Sequence, residues 1–408
     1  MNRVVITGLG VVSPLGNNID SFSTNLKKGY NGISEITQFD TSEYSVKIAG
    51  ECNIDLCNYF DSKELKRMDR FTAFSLIAAD QAIKQSGIND TKNINKENIG
   101  VILGSGIGGI NTFETQHSNL LKSPRRVSPF FIPSMISDIA AGHISIKYGF
   151  KGPNFSIVSA CATSNHSIGE SFKKIKYGDA SILITGGSDA TITPMAIAGF
   201  SNMKALSKNT SLNASRPFDL NRDGFIMGEG SGVIILENLE HALNRGADII
   251  AEIVGYGSTA DAYHLTSPST DGNGALRAMK EAILEAQIKP NDIDYINAHG
   301  TSTFYNDKIE TAAIKELFGS YSQSLSISST KSMTGHLLGA AGAIEAIAST
   351  LAITNSFIPP TINFKTKDPE CDLDYTFNES KNKNIEYCIS NNFGFGGHNA
   401  VIALKKYL

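Results

Sequence analysis

One cysteine lies where a buried strand is predicted to turn into a helix. Cys161 stands in "SACATSNHSIG", between the apolar run 155–158 and a helical pattern. Unpaired N–H groups and the positive dipole end at the start of a helix stabilise a thiolate. The small neighbours Ala160 and Ala162 allow a sharp turn, close substrate approach and an oxyanion hydrogen bond from the backbone. We interpret Cys161 as an activated nucleophile, although a free cysteine can also be an ordinary small core residue.

Two histidines lie at glycine-containing turns in the second part of the chain. His299 lies in "NAHGTST" and His336 in "STKSMTGHLLGAAG". Two neutral imidazoles on related turns could donate hydrogen bonds to one developing oxyanion, whereas a single histidine is more often structural. Lys331 could be plain surface charge, or it could pair with a carboxylate such as Glu345 and keep a neighbouring histidine neutral.

A glycine-rich segment near the C-terminus carries two phenylalanines. Residues 391–399 read "NNFGFGGHN", with Phe393 and Phe395 interleaved with glycines. Glycines leave a backbone mobile, so the two rings could open and close an apolar tunnel. An ordinary turn with two core aromatic residues fits the same letters equally well.

A second glycine-rich segment, "GSGIGG" at 104–109, has the dinucleotide-binding pattern G-x-G-x-x-G directly after a predicted strand. The acidic residue that would bind the ribose about 20 positions later is missing, because that region reads "KSPRRVSPFF". We therefore predict a tight turn with close backbone approach, and no dinucleotide site.

Short apolar runs alternate along the chain with longer helical patterns. This alternation is typical of an α/β fold with buried strands. The predicted strands include 4–8, 99–103, 155–158 and 181–185, and the predicted helices include 72–86 and 167–177.

The chain also repeats one order of elements. "AADQAIKQSGIN" leads to "IGVILGSGIGG", and "AMKEAILEAQIK" leads to "IDYINAHGTST". Each reads as a helix, a loop, a buried strand and a turn, and a second strand-to-turn unit follows each, carrying Cys161 or His336. We predict two related halves, 1–250 and 251–408, whose turns converge at their junction.

Composition and charge indicate a soluble, mildly acidic protein. The 408 residues are 41% hydrophobic, the net charge is −4 and the pI is near 6.1, which disfavours nucleic-acid binding. The five cysteines have no repeated spacing, so we expect neither a disulfide framework nor a zinc site. We therefore expect a reducing, cytoplasmic setting. We see no signal peptide and expect no segment that could cross a membrane.

Four motifs in a fixed order give the chain a specific resemblance. They are "VSACATSNHSIG", "NAHGTSTFYND", "SSTKSMTGHLLGAAGAIEA" and "NNFGFGGHN". They are similar to those of the elongating β-ketoacyl-acyl-carrier-protein synthases, most closely the synthase II type, and the likeness extends from "RVVITGLGVVSPLG" to "VIALKKYL". The resemblance implies the thiolase fold, a duplicated five-layered α/β/α/β/α sandwich, working as a homodimer.

The resemblance also implies a reaction, decarboxylative Claisen condensation in fatty acid elongation. Cys161 would hold the acyl chain as a thioester, and the N–H groups of Cys161 and Phe395 would form the oxyanion hole. His299 and His336 would bind the malonyl thioester carbonyl and stabilise the enolate left by loss of carbon dioxide. No cofactor is implied, because acyl carrier protein brings both substrates on its phosphopantetheine arm.

Further roles carry over by position. Lys331, paired with Glu345, would support the electrostatics around His336, and Phe395 would gate the site. No metal is required for the reaction. The remaining positions are Thr301 and Thr303 for the phosphopantetheine arm; Ile107, Phe393 and, reaching across from the partner subunit, Phe131 for the acyl pocket; Lys63, Lys66, Arg67, Arg125 and Lys204 for carrier-protein docking; and Asn297, Glu345, Ser390 and Asn391 for a structural monovalent cation.

The chain departs from the family pattern around its substrate channel. Phe304 and Tyr305 stand where many relatives have proline and a small residue. Residues 164–166 lie in a stretch that varies among relatives and bears on the depth of the pocket. His398 stands where others have threonine, and we predict no catalytic role for it.

Related enzymes would differ from this chain in their cysteine and histidine residues or in their pathway. A degradative thiolase would place a second cysteine in the C-terminal glycine-rich turn, but Cys388 lies six residues before Gly394. A priming synthase would use one histidine and an asparagine, and an inactive partner subunit would lack the nucleophile. A ketosynthase of a specialised polyketide or polyene pathway would have the same catalytic residues and stays open, as does a cysteine hydrolase, which differs in admitting water.

Overall fold

The computed structural model describes residues 1–92 and 94–407. Its strands are β1 (Val4–Val12), β2 (Ser34–Glu35), β3 (Ile48–Ala49), β4 (Ile99–Gly104), β5 (Asn154–Phe155), β6 (Ile182–Asp189), β7 (Gly230–Asn238), β8 (Ala251–Ala260), β9 (Tyr295–Asn297), β10 (Ser326–Ser328), β11 (Phe357–Ile358), β12 (Lys381–Asn382), β13 (Tyr387–Gly394) and β14 (His398–Lys406). Its α-helices are α1 (Ile19–Lys28), α2 (Ser62–Leu65), α3 (Arg70–Ser86), α4 (Ile110–Lys122), α5 (Phe131–Met135), α6 (Ile139–Tyr148), α7 (Thr163–Tyr177), α8 (Pro194–Asn202), α9 (Leu239–Asn244), α10 (Asn273–Glu285), α11 (Phe304–Phe318), α12 (Lys331–Thr334) and α13 (Ala341–Asn355).

The main sheet contains the same five-strand arrangement twice. Starting from the centre, the strand order is β1-β7-β6-β4-β5 in one direction and β8-β14-β13-β9-β10 in the other. In both halves the first two pairings are antiparallel and the last two are parallel. A short antiparallel pairing between β1 and β8 joins the halves. The predicted repeat is therefore confirmed. The boundary near residue 250 stays a prediction, supported by β8 beginning at Ala251.

Two glycine pairs repeat the same helix contact in the two halves. A Cβ added at Gly8 or Gly10 of β1 would lie 2.2 or 1.8 Å from a carbonyl oxygen of α3. A Cβ added at Gly255 or Gly257 of β8 would lie 2.1 or 1.9 Å from a carbonyl oxygen of α10. Only glycine permits such close approach of a helix to a strand. The G-x-G spacing thus seats one helix on the first strand of each half.

Three large hydrophobic clusters separate five layers of structure. One cluster fills the space between the first half of the sheet and α3 and α6, and another lies between the second half of the sheet and α10 and α11. The third is central and combines residues from both halves of the sheet with α7 and α13. The order helix, sheet, helix, sheet, helix is the predicted α/β/α/β/α sandwich.

The central helix corrects one expectation from the sequence. The segment Leu338–Asn355 is long and apolar enough to cross a membrane by length and composition, and 89% of it is buried inside the chain. A core helix meets the same test, because a helix enclosed on all sides is apolar all round. We therefore assign this segment to the core between the two halves.

Most predicted elements are present, and one is much shorter than predicted. The runs at 4–8, 99–103 and 181–185 lie in β1, β4 and β6, and the helices at 72–86 and 167–177 lie in α3 and α7. The run 155–158 contributes only Phe155 to β5. This strand is at the edge of the sheet, and the rest of the run, including Val158 at 56% exposure, lies outside the ladder. An apolar run on a sheet edge need not be a buried strand.

Candidate active site

The predicted functional turns meet at the junction between the halves. β9, β10 and β13 run parallel, and their carboxyl ends lead to His299, to Lys331 and His336, and to Gly394. β5 lies parallel to β4 in the other half and is followed by the Cys161 turn. Carboxyl ends of parallel strands are the usual place for ligand sites in α/β proteins.

Cys161 lies in one 3₁₀ turn immediately before α7. Ala160, just before it, has φ of 50° and so occupies the left-handed region, which is unusual for a residue with a Cβ. The Ser159 N–H donates to Thr163 Oγ1 at 2.9 Å and closes the turn. The chain thus turns into a helix at Cys161, as the sequence predicts, and the thiol lies at the start of that helix.

The Cys161 thiol is not acidic in this structure, so the predicted stabilisation of its thiolate is wrong. Burial raises the pKa of Cys161 to about 11, opposed by the Lys331 charge and by a hydrogen bond from the Phe395 N–H. Removal of water thus outweighs the helix start and the nearby lysine. The resting thiol is protonated at neutral pH, and a buried neutral form suits a group that is to be held as an uncharged thioester.

His336 faces the thiol in one defined protonation state. Its Nε2 lies 3.0 Å from Cys161 Sγ, and its Nδ1 accepts the Leu338 N–H at 3.2 Å. An acceptor Nδ1 in a neutral imidazole requires the proton on Nε2. Burial, and then the Lys331 charge, hold the pKa of His336 well below its usual range. The side chain therefore presents a neutral N–H donor to the cavity.

His299 supplies a second neutral ring beside the first. The two imidazole centroids are 5.5 Å apart with nearly perpendicular planes. Burial, followed by the charges of Lys331 and His336, lowers the pKa of His299 well below its usual range. Glu310 accepts the backbone N–H groups of His299 and Gly300, both at 2.8 Å, and fixes this turn.

Lys331 and Glu345 form a buried ion pair behind the histidines. Lys331 Nζ donates to Glu345 Oε1, and both side chains are almost completely inaccessible. Asn392 Nδ2 donates to the other carboxylate oxygen at 2.8 Å. The predicted pairing is present. Its effect on the two histidines is long-range, because neither Lys331 nor Glu345 lines the cavity.

Gly394 and Phe395 bring a second backbone donor to the thiol. The Phe395 N–H hydrogen-bonds to Cys161 Sγ. A Cβ added at Gly394 would lie 3.0 Å from the Cys161 nitrogen and 2.9 Å from the Ser159 oxygen. Glycine at 394 thus leaves the Cys161 N–H uncovered. Two N–H groups beside one nucleophile are the parts of an oxyanion hole.

A cavity of about 710 Å³ joins these groups to the surface. Thr301 and Thr303 lie in its wall with their hydroxyl groups 2.8 Å apart. Ile107 and Phe393 line the same cavity, as predicted for the acyl pocket. Phe131 does not, and instead lines a second cavity of about 720 Å³. Within a single chain, Phe131 is therefore separate from the nucleophile.

The predicted docking residues fall into two places on the chain. All five are exposed. Lys204 lines the Cys161 cavity, whereas Lys66 lines the second cavity with Phe131. The Arg67 guanidinium lies 4.9 Å from the Phe130 ring, beside that second cavity.

The predicted cation ligands are only partly together. Asn297 and Ser390 are neighbours in β9 and β13, and their buried side chains have no hydrogen-bond partner among the described residues. Such unpartnered polar atoms fit a cation. The Asn391 side chain lies on the other face of β13, because side chains alternate along a strand; its Nδ2 donates to Glu310 at 3.1 Å, and its buried Oδ1 also has no hydrogen-bond partner among the described residues. Asn392 contacts Glu345 in its place.

The glycine-rich loop 104–109 binds a carboxylate of the chain itself. Asp189 accepts the N–H groups of Gly106, Ile107 and Gly339 at 3.0, 3.3 and 2.7 Å, and the Ser105 hydroxyl at 2.8 Å. Burial raises the pKa of Asp189 to about 6, opposed by these donors. The segment with the dinucleotide-binding pattern is thus a loop that binds an anion of the chain itself. Asp189 also connects this loop to the turn that follows His336.

The residues just after the nucleophile lie behind the cavity. Ser164 Oγ donates to the Gly339 carbonyl oxygen, and Asn165 Nδ2 donates to two carbonyl oxygens of the second half. His166 lies between Ser159 Oγ at 2.6 Å and Ser258 Oγ at 3.0 Å. None of the three lines the cavity. They hold the turn in position from behind this cavity.

The nucleophile and the two histidines of the cavity have the spacing of a metal site. A ligand atom from each of Cys161, His299 and His336 lies within 4.8 Å of the others. The Leu338 N–H, however, places the ring proton of His336 on the nitrogen that faces the thiol. A protonated nitrogen donates a hydrogen bond and does not ligate a metal. The cluster is therefore better suited to an anionic oxygen.

Comparison with known proteins agrees with this geometry. Residues 1–242 match the family model "Beta-ketoacyl synthase, N-terminal domain", and residues 250–365 match "Beta-ketoacyl synthase, C-terminal domain". The chain is 54% identical over 408 residues to 3-oxoacyl-[acyl-carrier-protein] synthase 2 of Staphylococcus aureus, covering 99% of this chain and 98% of the relative. It is 49% identical over 413 residues to the protein of that name from Synechocystis sp., again covering 99% and 98%.

Solved structures show the same fold. A type II polyketide ketosynthase in complex with its acyl-carrier protein has a TM-score of 0.93 at 34% identity, with both chains fully covered. A beta-ketoacyl synthase from Burkholderia phymatum has a TM-score of 0.93 at 33% identity, also with full coverage. The five-layered sandwich is the thiolase fold that the motifs implied, and the chain belongs to the beta-ketoacyl synthase family.

Proposed function

We propose that the chain condenses an acyl group held on Cys161 with malonyl-acyl carrier protein, giving a 3-oxoacyl-acyl carrier protein two carbons longer in fatty acid elongation. The observation that carries this proposal is the approach of His336 Nε2 to Cys161 Sγ, at 3.0 Å, in a cavity shared with His299 and Phe395. It combines a nucleophile, two neutral N–H donors and two backbone donors.

The first step is acyl transfer. Cys161 attacks the thioester carbonyl of the acyl carrier protein, and the negative oxygen of the intermediate receives hydrogen bonds from the N–H groups of Cys161 and Phe395. The carrier thiol leaves and takes up the proton that the Cys161 thiol has lost. The acyl chain remains as a buried, uncharged thioester, which suits a site that raises the pKa of the free thiol.

The second step is decarboxylation and carbon–carbon bond formation. His299 and His336 donate their N–H groups to the thioester oxygen of the malonyl group, so the charge left when carbon dioxide departs collects on that oxygen. The resulting enolate carbon attacks the acyl carbonyl and expels the Cys161 thiolate, which takes a proton from solvent. Neutral donors suit this role, because a charged imidazolium would protonate the enolate.

The alternative is a ketosynthase of a specialised polyketide or polyene pathway with the same chemistry. Relatives named 3-oxoacyl-[acyl-carrier-protein] synthase 2 are 54% and 49% identical, whereas the polyketide ketosynthase structure is 34% identical. This difference favours fatty acid elongation. Repeated extension of an unreduced 3-oxo product would instead favour the alternative.

We further propose acyl carrier protein as the partner, a homodimer as the working assembly and the cytoplasm as the location. The exposed basic residues Lys63, Lys66, Arg67, Arg125 and Lys204 suit an acidic carrier. The exposed apolar residues Ile132 (56%), next to Phe131 in the chain, and Ile146 (82%) support a second copy covering exposed apolar surface. No cofactor is proposed, since the carrier delivers both substrates.

The proposal is tested by incubating the protein with octanoyl- and malonyl-acyl carrier proteins and measuring products by mass spectrometry. We expect 3-oxodecanoyl-acyl carrier protein and one carbon dioxide per product. His299→Ala and His336→Ala should still acylate Cys161 but lose malonyl decarboxylation. Free octanoic acid as the only product would indicate a hydrolase, and variants that decarboxylate normally would contradict the assigned histidine roles.

A further inference from the structure

We propose that Phe304 and Tyr305 form an aromatic subsite at the cavity mouth that binds the outer, dimethyl-bearing half of the pantetheine arm. This inference rests on the proposed function and adds binding residues to it. Both side chains line the Cys161 cavity, and their rings are 5.3 Å apart at 85°, in an edge-to-face arrangement. Two large exposed rings in one cavity wall need an explanation other than core packing.

The chain itself runs from the reacting groups to this mouth. His299 is 3% exposed and Thr301 is 6% exposed, whereas Phe304 and Tyr305 are 50% and 64% exposed. All four line one cavity, with half-buried Thr303 between them. A substrate arm that reaches Cys161 past Thr301 and Thr303 must therefore pass the two rings first.

The aromatic subsite is held in a fixed position. Arg222, whose side chain is fully buried, donates to the carbonyl oxygens of Thr303 at 3.1 Å and Phe304 at 3.0 Å. Its guanidinium also lies 5.6 Å from the Phe304 ring centroid. Asp307 Oδ2, one turn further along α11, accepts the Phe218 N–H at 2.9 Å. These contacts fix the backbone that carries the two rings, so little backbone freedom is lost when a ligand binds.

The chemistry of the mouth fits the proposed ligand. The outer half of the phosphopantetheine arm carries a branched apolar group between an amide and a phosphate ester. Two rings and the neighbouring Met203, 49% exposed, offer apolar contact, and exposed Lys204 in the same cavity offers a positive charge for the phosphate. Aromatic rings present a large apolar area, so contact with a branched apolar group removes much of that area from water.

The test uses the Phe304→Ala/Tyr305→Ala double variant with three octanoyl donors: the acyl carrier protein, free pantetheine and N-acetylcysteamine. The last contains the inner part of the arm and lacks the outer half. We expect KM for the first two donors to rise about tenfold, with kcat little changed, and KM for N-acetylcysteamine to stay constant. Phe304→Tyr/Tyr305→Phe should restore normal KM values, because it keeps both rings.

Controls separate this inference from the proposed function. Tyr177→Ala removes a ring of similar exposure (59%) outside the cavity and should change none of the three KM values. A rise in KM for the acyl carrier protein donor alone would show that the rings contact the surface of the carrier protein, and would overturn the inference. An equal rise in KM for N-acetylcysteamine, or no rise for any donor, would also overturn it. Failure of the wild-type protein to form 3-oxoacyl product would instead refute the proposed function.

Discussion

Gly394→Ala is expected to remove one donor from the oxyanion hole while leaving the fold intact. The added Cβ would lie 2.9, 3.0 and 3.2 Å from backbone atoms of Ser159, Cys161 and Ala162. Backbone atoms on both sides cannot turn away as a flexible side chain does. Either the methyl group covers the Cys161 N–H, or the loop moves and withdraws the Phe395 N–H. Both outcomes remove one donor from the developing oxyanion.

The magnitude follows from the number of donors lost. Removing one oxyanion-hole donor costs about 100- to 1000-fold in rate, equivalent to about 3–4 kcal/mol of transition-state stabilisation. The rate of acylation from octanoyl-acyl carrier protein should fall by that factor, measured by rapid quench and mass spectrometry of the Cys161 peptide. Malonyl decarboxylation, which depends on the two histidines, should fall far less.

A matched variant isolates the effect of position. Gly199→Ala adds a methyl group in α8 where no atom lies within 4 Å, so it should leave acylation unchanged. Thermal unfolding of both variants shows whether the fold survives. A folded Gly394→Ala protein that acylates at the wild-type rate would refute the assignment of these backbone groups to the oxyanion hole.

Three further outcomes follow from the buried charges. Lys331→Met should lower the free energy of unfolding by about 3–5 kcal/mol. It should also move the acid limb of the pH profile of malonyl decarboxylation to higher pH, because loss of the lysine charge raises the pKa of both histidines. An acid limb that does not move would contradict this. Asp189→Ala should cost about 3 kcal/mol or more in urea unfolding, because four donors lose their acceptor, whereas Asp189→Asn should cost less, because it keeps the side-chain volume and one acceptor oxygen; equal losses would contradict this. Alkylation of Cys161 by iodoacetamide should accelerate up to about pH 11, since thiolate forms only as pH approaches the raised pKa; a plateau near neutral pH would disprove the protonated resting thiol.

The sequence predicted the reacting groups because they stand at fixed places in a repeated element order. A turn after a parallel strand lies at the same sheet edge as its neighbours, so His299 and His336 could be placed near Cys161 without a structure. The duplication also has a local sign, since G-x-G recurs in β1 and β8 where each helix approaches the strand.

The supporting groups could not be predicted from local sequence. Asp189 lies at the end of a buried strand, and only the fold shows that it faces the loop 104–109. Glu310 and the Leu338 N–H fix the two histidine turns from positions with no periodic signal. The pKa of the Cys161 thiol failed as a prediction because it depends on burial, which the neighbouring residues do not reveal.

The most direct test of the account is the mass of the Cys161 peptide after the protein meets octanoyl-acyl carrier protein alone. The account predicts one octanoyl group on Cys161, stable until malonyl-acyl carrier protein is added and then replaced by free thiol as 3-oxodecanoyl-acyl carrier protein forms. An unmodified Cys161 peptide, or an octanoyl group on another residue that is consumed at the same rate, would contradict it.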